Sequence, residues 1–186
     1  MKVKLANVRL SFPDLFEAKQ FEGTGPFNYR ASFLFTPDSQ AKKDIDAAIR
    51  AVAAEKWGKK AEALLEGILP NSQKCCLVNG NTKDYDGYEG MFALSANRPQ
   101  DKGRPLIIDR DKTPLSQADG KPYAGCYVNA TVELWAQDNG FGKGIRATLL
   151  AVQFARDGDA FAGGSVGSEE DFDDLSADAD SADSLV

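Results

Sequence analysis

Histidine is absent from the 186 residues, and that absence removes more chemistry than any other feature of the composition. Ser-His-Asp and Cys-His catalysis, two-histidine metal sites and Cys/His zinc sites all require it. Cysteine is scarce too. The three thiols include the adjacent pair Cys75 and Cys76, which gives neither a disulfide framework nor a C-x-x-C pair, so buried thiols in a reducing compartment are the simplest expectation. Long apolar runs are missing: Ala147 to Val152 is far too short to cross a bilayer, and Met1 to Asn7 alternates instead of building a signal-peptide core. A cytoplasmic protein with no membrane association is expected. The last shortage is local, since no Lys or Arg follows Arg156.

That final segment is where charge collects. Residues 157–186 hold ten acids, leaving residues 1–156 with 22 bases against 18 acids. The body is therefore +4 and the tail −10 within a formal total of −6. A mildly basic body with an anionic, Gly/Ser-rich tail suggests a polyanion binder that carries its own competitor. The length allows one domain, residues 1–156, followed by a tail whose composition is that of a disordered segment. Acidic tails of this kind also serve merely as solubilisers. Here, however, Phe172 and Leu175 sit among the acids, and an aromatic within negative charge can anchor in a basic, apolar pocket of a partner.

Hydrophobic periodicity organises the body. Residues 2–10 alternate as a strand, with Val3, Leu5 and Asn7 on one face and Lys4, Ala6 and Val8 on the other, before Pro13 and Asp14 interrupt. Phe27, Tyr29, Ala31, Phe33 and Phe35 recur with period two in a second strand. Asp38 is a plausible N-cap for a helix whose face is Ile45, Ile49, Val52 and Trp57, stopping at Gly58. A short second helix is expected over Lys59 to Glu66, a strand over Tyr88 to Asn97 and a shorter one over Leu106 to Asp109. Two strong strands follow. In the first, Cys126, Val128, Ala130, Val132 and Leu134 face in while Tyr127, Asn129, Thr131, Glu133 and Trp135 face out; the second runs from Ile145 to Phe154. Asp138-Asn139-Gly140 supplies the turn between them. The pattern alone gives a mainly β chain with one or two inserted helices. About five strands in this order favour a small, five-stranded, partly open barrel, the class whose common oligonucleotide-binding member is the OB-fold.

Two motifs need weighing against their ordinary readings. Gly140-Phe141-Gly142-Lys143-Gly144 lacks the Ser or Thr and the helix that a phosphate loop needs, so it is a hairpin turn. Asp84, Asp86, Glu89 and Asp109 could hold metal ions in a nuclease, which stands as the rival function beside a non-binding structural or assembly protein, although Asp beside Gly is ordinary turn chemistry and the spacing fits no calcium loop. No metal and no cofactor is expected.

A third pattern is more telling. Lys83, Tyr85, Tyr88, Arg98, Lys102, Arg104, Arg110, Lys112, Lys121 and Tyr123 interleave cations with rings through the irregular middle of the chain. Binding single-stranded nucleic acid without sequence preference needs that pairing: cations track phosphates, and ring faces stack on bases for about 1–3 kcal/mol each. Tyr127 and Trp135 on the outer face of the penultimate strand, and Lys143 and Arg146 near the hairpin tip, extend the candidate surface. Each has an ordinary alternative. Charged loops are usually just solvated, and Trp135 could pack under the helix or in a homodimer contact.

Several segments together resemble one family. Val8-Arg9-Leu10-Ser11-Phe12 with Leu15-Phe16-Glu17, Asn28-Tyr29-Arg30-Ala31-Ser32, Lys56-Trp57-Gly58, and Tyr123-Ala124-Gly125-Cys126-Tyr127 with Asn139-Gly140 and Lys143-Gly144-Ile145 are similar, in order along nearly the whole chain, to single-stranded-DNA-binding proteins of tailed bacteriophages. The resemblance implies an OB-fold, sequence-independent binding of single-stranded DNA, a role in phage replication and recombination in the cytoplasm of the infected host, and no enzymatic activity. It also implies a tail that recruits a polymerase, helicase or recombinase. Glu169-Glu170-Asp171-Phe172 resembles the acid-rich, Phe-terminated end of that family, although here Asp173, Asp174 and the residues to Val186 continue past the Phe.

Overall fold

The computed structural model describes residues 1–161 and 173–176. Seven strands, β1 (Lys2–Phe21), β2 (Thr24–Phe35), β3 (Leu77–Asn79), β4 (Phe92–Pro99), β5 (Leu106–Ile108), β6 (Tyr127–Asn139) and β7 (Gly142–Arg156), form one sheet in the order β3-β4-β2-β1-β6-β7-β5. A parallel pairing of Asn97 in β4 with Thr148 in β7 bends that sheet round on itself. The ring β1-β2-β4-β7-β6 is thus the five-stranded barrel expected from the pattern, and β3 and β5 are short additions at its margins. Both are too brief to show any periodicity, and β3 gave no signal in the sequence.

The barrel interior is filled by alternate residues. Phe33, Leu94, Val128, Val132, Leu134, Ile145, Leu149 and Val152 are buried in one cluster. The inward and outward assignments on β6 hold, with Val128, Ala130, Val132 and Leu134 buried and Glu133 and Trp135 exposed. On β1 the expected faces need correction. The register with β6 slips between Leu5 and Val8, where Asn7 takes φ +51°, so one extra residue is inserted and Val8 and Leu10 join Val3 and Leu5 on the buried face. A second irregularity lies between Ser11 and Asp14 on the β2 side. Pro13 sits inside it and needs no ladder donor there, so β1 continues to Phe21 instead of ending at Pro13.

Helix α1 (Gln40–Trp57) packs Ile45, Ala48, Ile49, Val52 and Ala53 onto the barrel beside β6 and β1. Its N-cap is Ser39, one residue later than expected: the Ser39 side chain accepts from the Lys42 N–H at 3.2 Å, while Ser39 Oγ donates to the Thr36 carbonyl. Gly58 at φ +56° ends α1 as anticipated. A single 3-10 turn, Gly58–Lys60, then delays α2 to Ala61–Ile68, and Gly67 lies within that helix. Cys75, Cys76 and Cys126 are free and buried. Among the described residues, no helix is long and apolar enough to cross a membrane.

Candidate nucleic-acid interface

The outward residues of β2 and β4 are small where the two strands meet. Ser32 lies opposite Ser95, their hydroxyl oxygens 3.1 Å apart, and Ala93 and Asn97 flank Ser95 along β4. A flat, low floor of this kind lets a planar ring approach the sheet. Walls rise on either side. Phe12, next to the second β1 irregularity at φ +46°, projects outward with 51% of its surface exposed. Its ring meets Tyr85 edge-on at 4.9 Å, and Tyr85 meets Tyr88 at 5.2 Å. Tyr88 is buried beneath them and donates its hydroxyl to Ser11 Oγ at 3.1 Å. Burial raises the Tyr88 phenol above its ordinary range, so it serves as a neutral foundation for the exposed pair.

Three hollows join into one groove over this floor. The first, about 720 Å³, lies between Phe12, Tyr85, Asp86 and Phe161. Phe12, Asp14 and Tyr85 are shared with the second, about 390 Å³, which adds Phe21, Arg30 and Lys83. Val78, Lys83 and Ser95 are shared in turn with the third, which ends at Asn97 and Arg146. The groove therefore crosses β1, β2, β4 and β7, with the β1–β2 hairpin on one flank and the β6–β7 hairpin on the other. In the five-stranded ring β2 and β4 are the second and third strands, and this face and these two loops carry oligonucleotides in OB-folds.

The structure divides the residues expected to act together. Lys83, Tyr85, Tyr88 and Arg146 line the groove. Arg146 is braced, donating from Nε to Gln137 Oε1 at 2.6 Å and from Nη2 to the Gln73 carbonyl at 2.9 Å. Arg98 instead spends Nε and Nη2 on the carbonyls of Gly103 and Lys102, at 2.7 and 2.8 Å, holding the loop after β4. Lys102 is exposed on that loop, and Arg104 lies 5.7 Å from the Phe16 ring. Lys121 pairs with Asp109 at 3.0 Å and covers Phe154. Trp135 is in register with Arg146 but lines a separate hollow with Met1 and the Val52, Glu55 and Lys56 side of α1.

Tyr123 and Tyr127 do something the sequence did not announce: they hold down the chain beyond β7. The Tyr123 hydroxyl donates to Asp157 Oδ1 at 2.8 Å and receives the Gly158 N–H at 3.2 Å, and the neighbouring carboxylate raises its pKa. Arg156 stacks on the Tyr127 ring at 3.7 Å. Arg9 donates to the Asp159 carbonyl at 2.7 Å and lies 4.1 Å from the Phe161 ring, whose own N–H reaches the Ala124 carbonyl. Only glycine fits beneath this strap at 125, where φ is +105° and a Cβ would come within 2.2 Å of the Asp159 carbonyl oxygen. Contacts with the barrel thus continue through Phe161, at the aromatic end of the groove. Asp173 and Asp174 are exposed; Glu169, Glu170, Asp171 and Phe172 lie outside the described residues.

Sequence reasoning missed Phe12, Lys19, Phe21, Arg30 and the serine floor as groove residues. Phe12 was hidden because its exposure comes from the β1 irregularity, and Arg30 because its strand was read for its aromatic face. The carboxylates considered for metal do not converge. Asp84 and Asp86 edge the groove, Glu89 faces the hollow on the other side of its loop, and Asp109 is paired with Lys121. Among the described residues no group of three or more acids or cysteines is placed to hold an ion.

Comparison with known proteins agrees with this architecture. The single-stranded-DNA-binding protein of bacteriophage Enc34, in complex with single-stranded DNA, superposes with a TM-score of 0.72 at 26% identity, covering 87% of this chain and 89% of that one. Its C-terminally truncated form gives a TM-score of 0.69 at 26% identity, covering 86% of this chain and 88% of that one. The bacteriophage T7 single-stranded-DNA-binding protein gp2.5 shares the fold, with a TM-score of 0.53 at 13% identity over 92% of this chain and 93% of that one. Protein p50 of Acyrthosiphon pisum secondary endosymbiont phage 1 is 54% identical over 179 residues, 95% of each chain. The family model described as "Enterobacter phage Enc34, ssDNA-binding protein" matches residues 1–185, and the chain belongs to that family of phage single-stranded-DNA-binding proteins.

Proposed function

We propose that this protein binds single-stranded DNA without strong sequence preference, in the groove over β1, β2 and β4. The observation that carries the reading is the juxtaposition of half-exposed rings (Phe12, Phe21, Tyr85) with cations (Lys19, Arg30, Lys83, Arg146) on one small-residue floor. Ring faces accept any base, and cations accept any phosphate, so neither contact selects a sequence. The Enc34 protein, 26% identical and solved in complex with single-stranded DNA, supports the binding of single strands. The protein acts by binding, without catalysis.

On this reading the protein serves phage DNA replication and recombination in the cytoplasm of the infected host. Its tail, rooted at Phe161 beside the groove, competes with DNA for the cations and recruits a polymerase, helicase or recombinase through the acids and Phe172. A body charge of only +4 is consistent with modest affinity that the tail can modulate. Titration of a fluorescein-labelled dT oligomer and of a duplex of equal length, at several salt concentrations, tests the function. Tighter binding of the single strand, weakening steeply with salt, is the expected result. Equal affinity for both, or no salt dependence, refutes it.

A further inference from the structure

The groove contains one carboxylate set directly between two of its cations. Asp14 places Oδ1 3.2 Å from Lys19 Nζ and Oδ2 3.3 Å from Arg30 Nε. Each oxygen serves a different cation, as the two non-bridging oxygens of a backbone phosphate would. Asp14 and Arg30 are register partners on β1 and β2, and Asp14 lines both of the larger hollows. Resting on the single-stranded-DNA reading above, we propose that Asp14 is an internal phosphate surrogate. It occupies Lys19 and Arg30 in the free protein and must yield them to a DNA phosphate, so its charge sets how tightly the groove holds DNA.

The alternative role, aligning the two cations for DNA, fits the geometry less well. Arg30 already has its place from its strand, flanked by Asp14 and Asn97 in register and lying 5.8 Å from the Phe21 ring. It gains no bidentate clamp from Asp14. The Nε contact is an ion pair at an angle that makes no hydrogen bond, so the buried Nε is left without a hydrogen-bond partner among the described residues. A buried guanidinium nitrogen without an acceptor calls for one, and in a groove of this composition the fitting acceptor is a phosphate oxygen. The Asp14 side chain, 18% exposed, is close enough to repel that phosphate with little screening.

Removing the charge should therefore tighten binding. In the full chain, Asp14→Asn keeps the shape and is expected to bind a labelled dT oligomer roughly tenfold more tightly at low salt, an effect of one charge at groove distances. The slope of log affinity against log salt should steepen by up to about 0.7, the value of one further phosphate engaged on a single strand. Asp14→Ala should change affinity in the same direction, and thermal melts report whether either variant is folded. Arg30→Gln alone should weaken binding, and in that background Asp14→Asn should gain much less. Unchanged or weaker binding by both folded Asp14 variants, with Arg30→Gln still weakening, overturns the surrogate and leaves the groove standing. If Arg30→Gln has no effect, or the wild-type chain binds no single strand, the groove reading falls and the surrogate with it.

Discussion

Tyr85 and Trp135 make a matched pair of probes. Both are exposed aromatics, at 51% and 40% of their surfaces, but Tyr85 stands in the groove and Trp135 lies outside it. Replacing Tyr85 by Ala removes one stacking face, worth about 1–3 kcal/mol per base, or roughly a five- to 150-fold rise in Kd. Its edge contacts with Phe12 and Tyr88 exist in the free and bound protein alike, so they cancel from the binding difference and appear only as lost stability. That loss is about 0.5–1.5 kcal/mol for each of the two aromatic pairs, a fall of several degrees in Tm. Trp135→Ala should cost comparable stability and leave Kd within a factor of two or so. Anisotropy of a labelled oligomer and a thermal melt on each variant give both numbers. The reasoning is refuted if Trp135→Ala weakens DNA binding as much as Tyr85→Ala, or if Tyr85→Ala binds like wild type.

Among the cations, Lys83→Ala should reduce the salt slope by about 0.7, whereas Lys102→Ala, on the loop braced by Arg98, should leave it unchanged in the same titrations. Truncation after Phe161 should raise single-strand affinity at low salt by removing the competing acids while keeping Tm constant. Truncation after Arg156 should also lower Tm, because Arg9 loses the Asp159 carbonyl and the Phe161 ring, together about 1–3 kcal/mol. Gly125→Ala should mimic that stability loss in the full-length chain, by strain at φ +105° and a clash with the strap, and a melt comparing it with wild type is the check.

The parts of this molecule legible in its sequence are those with sustained periodicity. The alternation in residues 126–135 gave both faces of β6 correctly, and Ile45, Ile49 and Val52 gave the buried side of α1. What escaped was set by single-residue shifts and by three-residue strands. The inserted residue near Asn7 reverses the faces of β1 downstream, and nothing in Ala6-Asn7-Val8 announces it. The second irregularity turns Phe12 outward and makes its ring a wall of the groove, which local periodicity does not show. At the site, interleaved Lys and Tyr drew attention to residues 83–88 and the hairpin tip to Arg146, and the structure places Lys83, Tyr85, Tyr88 and Arg146 along the groove. Sequence proximity could not tell Lys83 from Arg98, because the difference is whether a guanidinium or ammonium faces the groove or is spent on nearby carbonyls. The roles of Tyr123 and Tyr127 depend on contacts with Asp157 and Arg156, 34 and 29 positions away, beyond the reach of local pattern.

Ultraviolet crosslinking of the full-length chain to a dT oligomer, with peptide mapping of the adducts, tests most directly where single-stranded DNA lies. The account predicts adducts at Phe12, Phe21 and Tyr85, lost on addition of excess unlabelled single strand and reduced by high salt. Adducts concentrated at Trp135, Trp57 or Phe141, with none on the face formed by β1, β2 and β4, would contradict it.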